Sequence, residues 1–354
     1  MWEERAYRAR RDIAALAASG LGVSDLHAAA IRLIDATVRT DMTCWAGLDP
    51  ETLAVSGFTG TQVAPEYERW LAEAEYSANE PHTFATLALR KQPIAKLTDM
   101  PDRERNRSIR YNEVWRPMGV NQELRVPFLA ESACWGAAGM VRAGRDFTER
   151  ETDFLIAVAP AVAAATRLAV RSGLLRVMPD GHPAIVVVGP RGELRAVTPA
   201  AQEWQQRLDH IAPSRFALMM QVMASGARTA TSSGFRARLQ YAHGQWAVLE
   251  ASPLISGDDQ DQVAVTIEPA SGDQLISLLF VAYGLTTRER EICGEVMAGH
   301  STSDIAARLF ISSNTVQDHL KSVFAKVGVR SRGELVARLR PNGSGPERGI
   351  QPSM

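Results

Sequence analysis

The sequence predicts an α+β chain in which two antiparallel-sheet regions precede an all-α C-terminal domain of four helices. Two stretches of short apolar strands, each bounded by turn residues, indicate the sheets, and four capped amphipathic segments indicate the helices. The chain has 354 residues, of which 45% are hydrophobic and 22% are charged, so it has the material for two or three globular domains.

Composition shifts and turn residues predict five segments along the chain. In order they are an N-terminal helix at 1–19, a first sheet domain at 20–172, a second sheet domain at 180–270, the helical domain at 275–340 and a disordered tail at 341–354.

The first sheet domain is predicted to contain two hairpins separated by a polar, helix-rich middle. Its elements are a helix at 26–38, strands at 42–48, 53–57, 123–129 and 133–142, and a long helix from Phe147 to Val177.

The second sheet domain begins with an apolar strand followed by a Gly-rich turn. Its elements are a strand at 183–188, a turn through Gly189 to Gly192, a second strand, a helix near Thr198-Pro199 and strands at 236–241, 245–251 and 261–268. The acidic stretch at 256–261 is predicted to be a hairpin loop rather than a metal site.

The C-terminal helices are predicted from repeated N-cap patterns, in which a hydroxyl is followed three residues later by a residue that can complete a capping box. The four pairs are Thr286/Glu289, Ser301/Asp304, Ser312/Thr315 and Ser331/Glu334. The third helix has no acid at that position. Its N-terminal amides and dipole are therefore open to an external anion such as a phosphate, although the missing acid has chance as an alternative explanation.

Apolar spacing predicts which side of the third helix faces outward. Residues Val316, Leu320, Val323 and Phe324 follow helical spacing, so Gln317, Asp318 and Lys321 are expected on the opposite, solvent-facing side. Gln can bind adenine, Lys can bind guanine or a phosphate, and Asp can accept from cytosine. A solvated surface acid remains the alternative for Asp318.

This C-terminal segment resembles the LuxR-type (FixJ/NarL) helix-turn-helix. The resemblance rests on Leu285-Thr286, Glu289, Gly299, Ile305-Ala306, Leu309, Ser312, Thr315-Val316, His319-Leu320, Lys326, Gly328 and Ser331-Arg332. It implies that the third helix enters the major groove of double-stranded DNA. The residues expected to contact DNA are Ser312, Ser313, Asn314, Thr315, Gln317, Asp318, Lys321, Lys326 and Arg332. Many members carry a basic residue where this chain has Gln317, so base readout is the more natural role here.

The two sheet domains resemble sensor modules. Leu124-Arg125-Val126-Pro127-Phe128, Cys134-Trp135-Gly136 and the segment 147–151 are similar to a GAF domain, in the arrangement of actinobacterial LuxR-type regulators. The segment 183–199 resembles the opening of a PAS domain. The resemblance implies a ligand pocket in the middle of the first domain, and its candidate residues are Trp70, Tyr76, His82, Phe84 and Trp115. Ordinary core aromatics are the alternative, and His82 is also weighed as a haem ligand.

Cysteine usage argues against a disulfide framework, because the chain has only 3 cysteines. Cys44 and Cys134 each precede a Trp in a predicted strand, and these strands could be neighbours. One hypothesis is a thiol-based redox pair, and the alternative is two small buried residues.

Catalytic motifs for nucleotide, zinc-hydrolase, dithiol or nucleophile-elbow chemistry are missing from the sequence, so we expect no enzyme activity, cofactor or metal. The start of the chain has no apolar signal core, and no run of about 18 uninterrupted apolar residues occurs. We therefore expect a cytoplasmic protein without a membrane partner.

Charge is unevenly distributed along the chain. Residues 1–172 and 173–284 each carry a net −2, whereas residues 285–354 carry +3. Because +3 is a modest charge, we expect affinity to come from a homodimer on a two-part site.

The expected function is a sequence-specific transcriptional regulator that is modulated by a small-molecule effector, with RNA polymerase as a candidate partner. The alternative is a ligand-binding or protein-interaction module whose helix-turn-helix serves dimerisation. The sequence leaves open the effector, the operator, and whether transcription rises or falls.

Overall fold

The structure is a computed structural model that describes residues 2–61, 63–91, 93–173, 183–230, 234–241, 245–255 and 261–340. The chain divides into two compact units. The first comprises Met1–Val170 and Asp180–Pro269, and the second comprises Arg171–Pro179 and Ala270–Met354. The prediction of two antiparallel sheets followed by a helical C-terminal domain is confirmed.

The first sheet lies in the N-terminal part of the first unit and has the strand order β2-β1-β5-β4-β3. Its strands are β1 (Met42–Leu48), β2 (Val55–Gly60), β3 (Ala95–Lys96), β4 (Gln122–Ala130) and β5 (Ala133–Arg142). All pairings are antiparallel, and β1 lies against β5 with Cys44 opposite Gly139.

Helices flank this sheet and fill the connection between β2 and β4. They are α1 (Trp2–Ala15), α2 (Val23–Asp35), α3 (Pro65–Tyr76), α4 (Phe84–Ala88), α5 (Asp102–Arg105), a π-helical turn at Arg110–Trp115, and α6 (Glu149–Gly173). The predicted helix start at Phe147 is realised as a capping box, because Thr148 Oγ1 accepts from the Glu151 amide and Glu151 accepts from the Thr148 amide.

Helix α6 has the length and composition of a membrane-spanning helix, and it is the one such helix among the described residues. In its most apolar window, 56% is buried inside the protein, including Phe154, Leu155 and Val162. This burial favours a core helix, as the sequence predicted for 154–170. The predicted extension through Val177 lies outside the described residues.

The second sheet repeats the topology of the first, with the order β7-β6-β10-β9-β8. Its elements are β6 (Ala184–Val188), β7 (Leu194–Val197), α7 (Pro199–Ile211), α8 (Arg215–Thr229), β8 (Phe235–Gln240), β9 (Trp246–Pro253) and β10 (Val263–Pro269). The loop predicted at 256–261 lies almost wholly outside the described residues.

The two sheets of the first unit share one hydrophobic core. A single buried cluster contains Leu48 and Val55 from the first sheet together with Phe216 and Met219 of α8 and Val265 of β10. Tyr76 of α3 contacts Phe235 of β8 edge to face, with ring centroids 5.2 Å apart. The sheet regions therefore pack as one body, and a cavity between them belongs to both.

The second unit is helical throughout its described residues. Its helices are α9 (Gly272–Ala282), α10 (Thr287–Met297), α11 (Thr302–Arg308), α12 (Ser313–Val327) and α13 (Arg332–Leu339). The last four are the predicted helices, and α9 is additional. Gly328 ends α12 at φ 75° with its amide donating to the Phe324 carbonyl, a left-handed position that glycine adopts without strain. The tail at 341–354 lies outside the described residues.

Candidate nucleic-acid interface and sensor cavity

The N-terminus of α12 differs from those of its neighbours, as the sequence predicted. Ser312 Oγ accepts from the Thr315 amide at 3.1 Å, and the first turn contains no acid. By contrast, α10, α11 and α13 carry Glu289, Asp304 and Glu334 in their first turns. The positive end of the α12 dipole is therefore not neutralised by the helix itself, and Ser313, Asn314 and Thr315 are exposed around it.

The outward side of α12 carries polar side chains. Gln317, Asp318 and Lys321 are exposed, whereas Val316 and Leu320 are buried on the other side. Lys321 Nζ lies 3.0 Å from Asp318 Oδ1, and both side chains are more than 70% exposed. This face thus presents the amide of Gln317 to solvent, together with the charges of Asp318 and Lys321, which partly neutralise each other.

Lys326, predicted to contact DNA, has an internal partner. Its Nζ donates to Glu289 Oε2 at 2.6 Å and to the Gly284 carbonyl at 3.1 Å. Burial alone would raise the pKa of Glu289, but hydrogen bonds from Lys326, Ser322 and the Thr286 amide lower that pKa to about 2. The Lys326 charge therefore holds α10 to α12.

Arg332 is also engaged within the unit, because its guanidinium donates to the His300 carbonyl between α10 and α11. The link from α11 to α12 places Phe310 at φ 55° with its ring 93% exposed. Left-handed backbone at a bulky residue is uncommon, and here it produces the sharp turn between the two helices.

A cavity of about 420 Å³ lies within the first unit, and two of the predicted pocket residues, Phe84 and Trp115, line it. His82 lines a different cavity, together with Glu80 and Arg107. Burial lowers the pKa of His82, with further lowering by nearby Arg90 and Arg110. No group of three His, Cys, Asp or Glu able to hold a metal occurs among the described residues.

Trp70 and Tyr76, the remaining predicted pocket residues, pack into hydrophobic clusters. Trp70 lies against Val114 and Val120. Tyr76 packs on the shared core, and its hydroxyl accepts from the Val55 amide at 3.0 Å. Trp70 and Tyr76 therefore pack as ordinary core aromatics and do not line the cavity of about 420 Å³.

Sequence reasoning missed the charged residues of the cavity of about 420 Å³. Its lining includes Glu68, Arg125 and Arg215, all of which are at most 4% exposed. One sequence feature indicates such a site: Arg215 immediately precedes the apolar run Phe216 to Met220. Charged side chains are rarely fully buried unless they are paired, so a buried arginine beside such a run indicates a bound partner.

The proposed redox pair is corrected by the sheet register. Cys44 lies opposite Gly139, five residues along β5 from Cys134, which corresponds to about 17 Å at the rise of a strand. A disulfide requires Cα atoms within about 7 Å. Burial also raises the pKa of both thiols to about 11, which disfavours the reactive thiolate. The strands are neighbours as predicted, but the thiols are not.

Comparison with known proteins identifies the C-terminal segment. The model of the luxR family of bacterial regulatory proteins matches residues 284–339. Spore germination protein GerE of Bacillus subtilis is 40% identical over 55 residues, which cover 16% of this chain and 74% of that protein. An HTH-type transcriptional regulator of Mycobacterium bovis is 48% identical over 60 residues, which cover 17% of this chain but only 7% of that protein.

Among solved structures, the Vibrio cholera VqmA-ligand-DNA complex is similar over 48% of this chain and 84% of that chain, at 15% identity and a TM-score of 0.23. That score is too low to support an argument about this chain. The GerE match, together with the helix-turn-helix geometry of α10 to α13, shows that the chain belongs to the luxR family of bacterial regulatory proteins.

Proposed function

We propose that the chain is a sequence-specific DNA-binding transcriptional regulator that acts as a homodimer and responds to a small molecule bound in its first unit. The observation that carries the proposal is the outward side of α12, where an unneutralised helix N-terminus adjoins the exposed Gln317, Asp318 and Lys321. The luxR-family relationship and the relatives described as transcriptional regulators support the same role.

The proposed interface has two parts. Ser312 to Thr315, at the N-terminus of α12, would bind a backbone phosphate through exposed amides and hydroxyls. Gln317 would bind adenine, Asp318 would accept from cytosine, and Lys321 would bind guanine or a backbone phosphate. Lys326 donates to Glu289, and Arg332 donates to the His300 carbonyl. We therefore propose that these two residues support α12 and do not contact DNA directly.

Dimerisation follows from the small charge of this region. The segment 285–354 carries a net +3, and Lys326 is engaged by Glu289. A single copy would therefore neutralise few phosphates, and two copies on adjacent half-sites would supply the remaining affinity.

The first unit would supply regulation. We infer that its two sheets are a GAF-like and a PAS-like sensor module, an assignment supported by the predicted order of helix, hairpin, helical middle, hairpin and long helix. A ligand that favours one dimer arrangement would change the spacing of the two α12 helices, and operator affinity would follow. RNA polymerase remains a candidate partner of the DNA-bound form.

The experiment is a binding titration with fragmented genomic DNA from the host, followed by sequencing of the bound fraction and measurement at several salt concentrations. We expect enrichment of an inverted repeat and a steep linear fall of log affinity with log salt. A folded dimer without salt-dependent DNA affinity would instead support a helix-turn-helix that serves dimerisation.

A further inference from the structure

The cavity of about 420 Å³ is shared by the two sheet regions of the first unit. Met42 and Ala46 of β1 and Leu71 of α3 form one side, whereas Leu218 and Val222 of α8 form another. The walls are largely apolar, and the volume falls in the range of small-molecule sites, about 300–1,000 Å³. A molecule bound here would contact both sheet regions at once.

Most charges near the cavity already have partners. Arg125 Nη2 lies 2.6 Å from Glu75 Oε2, and Arg110 Nε lies 3.0 Å from Glu123 Oε2. These pairs hold β4, α3 and the π-helical turn together. A ligand in the cavity would therefore be recognised by charged side chains that have no partner within the protein.

Arg215, the first residue of α8, is such a charge. Arg215 is 4% exposed, and the one hydrogen bond of its guanidinium among the described residues runs from Nη2 to the Gln240 carbonyl at 3.3 Å. No carboxylate of the described chain pairs with it, and burial lowers its pKa. An uncompensated buried cation costs several kcal/mol, so an anion in the cavity would relieve this penalty.

The surroundings of Arg215 fit an anion. The first turn of α8 contains no acid of its own. The Asp209 carboxylate accepts from the Phe216 amide at 3.0 Å and so caps the helix, but it forms no ion pair with Arg215 among the described residues. Gly57 of β2 makes room for the guanidinium, since a Cβ at that position would lie 2.8 Å from Arg215 Nη2. Even one methyl group at residue 57 would therefore displace the guanidinium.

Glu68 of α3 is the one buried carboxyl group of the lining without a side-chain partner among the described residues. It is 4% exposed and makes no hydrogen bond or ion pair within the described ranges. Burial raises the pKa of Glu68, which favours the neutral acid that can donate a hydrogen bond.

We propose that this cavity binds a small, largely apolar carboxylate whose carboxylate group pairs with Arg215, so that the ligand ties α8 to the first sheet. This inference rests on the proposed function, because it names the chemical class of the effector. A bidentate carboxylate–guanidinium pair in a cavity of low polarity would be the main source of selectivity.

The test compares octanoate with octan-1-ol on the full-length protein, by calorimetry and by thermal unfolding followed through tryptophan fluorescence. We expect octanoate to bind at least tenfold more tightly than the alcohol of the same length, in line with the strength of a charged hydrogen bond. In Arg215→Gln the difference should fall below about threefold, while Arg236→Gln, which alters an exposed arginine outside the cavity, should retain it. Gly57→Ala should weaken octanoate binding without removing a charge.

Equal affinity of the wild-type protein for octanoate and octan-1-ol would overturn the proposal without requiring any variant. Loss of the selectivity in Arg236→Gln as well as in Arg215→Gln would overturn the assignment of carboxylate binding to Arg215. DNA binding is measured separately on the same preparation. Intact DNA binding without carboxylate selectivity refutes only this inference, whereas carboxylate selectivity without DNA binding refutes only the proposed function.

Discussion

Arg238 of β8 forms a bidentate ion pair with Asp49, which directly follows β1, and so joins the second sheet to the connection between β1 and β2. Nε lies 2.6 Å from Oδ2, and Nη2 lies 2.9 Å from Oδ1. The two side chains are only 8% and 2% exposed. Glu51 adds a second carboxylate 2.5 Å from Nη2. The carboxylates stabilise the charged guanidinium and raise the pKa of Arg238 even though burial alone would lower it.

Asp49→Ala should lower the free energy of unfolding of the first unit by about 3 kcal/mol, because it leaves a buried guanidinium without its main partner. Urea unfolding followed by tryptophan fluorescence measures this, since all 7 tryptophans lie between Trp2 and Trp246 in the first unit. Adding Arg238→Met should recover part of the loss. The control is Arg236→Met, whose ion pair with Glu250 is more than half exposed and should contribute less than about 1 kcal/mol. Equal losses at Arg236 and Asp49 would contradict the assignment.

The sequence predicted best those elements whose determinants are local. The boundaries of β1 and β5 agree with the predicted strands, and Thr286, Ser301, Ser312 and Ser331 all cap the helices they were expected to cap. In each of the four caps the deciding hydrogen bond links residues three apart, so the pattern is visible without knowledge of tertiary contacts.

The sequence did not predict α8, because 11 of its 15 residues are buried and no amphipathic stripe distinguishes it from a buried strand. The prediction that Cys44 and Cys134 form a redox pair was wrong for a different reason. The adjacency of β1 and β5 was foreseeable, but their register is set by pairing across about 90 residues, which periodicity alone does not reveal. The Arg215 cavity likewise depends on how α8 meets α3.

Lys321→Ala should weaken DNA binding on all sequences and reduce the slope of log affinity against log salt by about 1, because one phosphate or base contact by a cation is lost. Gln317→Ala should instead relax base preference at one position, by about 1–3 kcal/mol of discrimination. Fluorescence anisotropy with specific and scrambled duplexes separates the two effects. Lys91→Ala, an exposed lysine of the first unit, is the matched control. Unchanged binding in both α12 variants would show that another surface contacts DNA.

Asp318→Asn should raise affinity for non-specific DNA and narrow the difference between specific and scrambled sites. The substitution removes a charge that repels phosphates and frees Lys321 from the 3.0 Å pair. Protein stability should change little, since this exposed i,i+3 pair contributes at most a few tenths of a kcal/mol. The same anisotropy titration at two salt concentrations measures the effect. A decrease in non-specific affinity would indicate that Asp318 positions Lys321 for its contact.

Glu289→Gln should destabilise the second unit on the order of 2 kcal/mol at neutral pH, because Lys326 loses its charged partner. The folded pKa of Glu289, about 2, lies below the unfolded value of about 4.3. The stabilisation is therefore fully present above about pH 4.3 and is lost as pH falls toward 2. Hydrogen exchange of the α10 and α12 amides between pH 3 and 6 measures it. Parallel acid profiles in wild type and variant would contradict this role of the pair.

His27 of α2 should make the first unit sensitive to mild acid. The ring is 1% exposed, its Nε2 lies 3.0 Å from Thr166 Oγ1, and Trp45 contacts it edge to face at 5.4 Å. Burial lowers its pKa to about 4, whereas the unfolded value is about 6.5. Below pH 6.5 the unfolded chain therefore binds the proton first, and stability falls by about 3 kcal/mol as pH decreases to about 4. In His27→Gln, whose amide can keep the bond to Thr166, tryptophan-monitored unfolding should lose this part of the pH dependence. If wild type and variant lose stability in parallel between pH 6.5 and 4, protonation of His27 does not couple to unfolding, and the acid sensitivity arises at other groups.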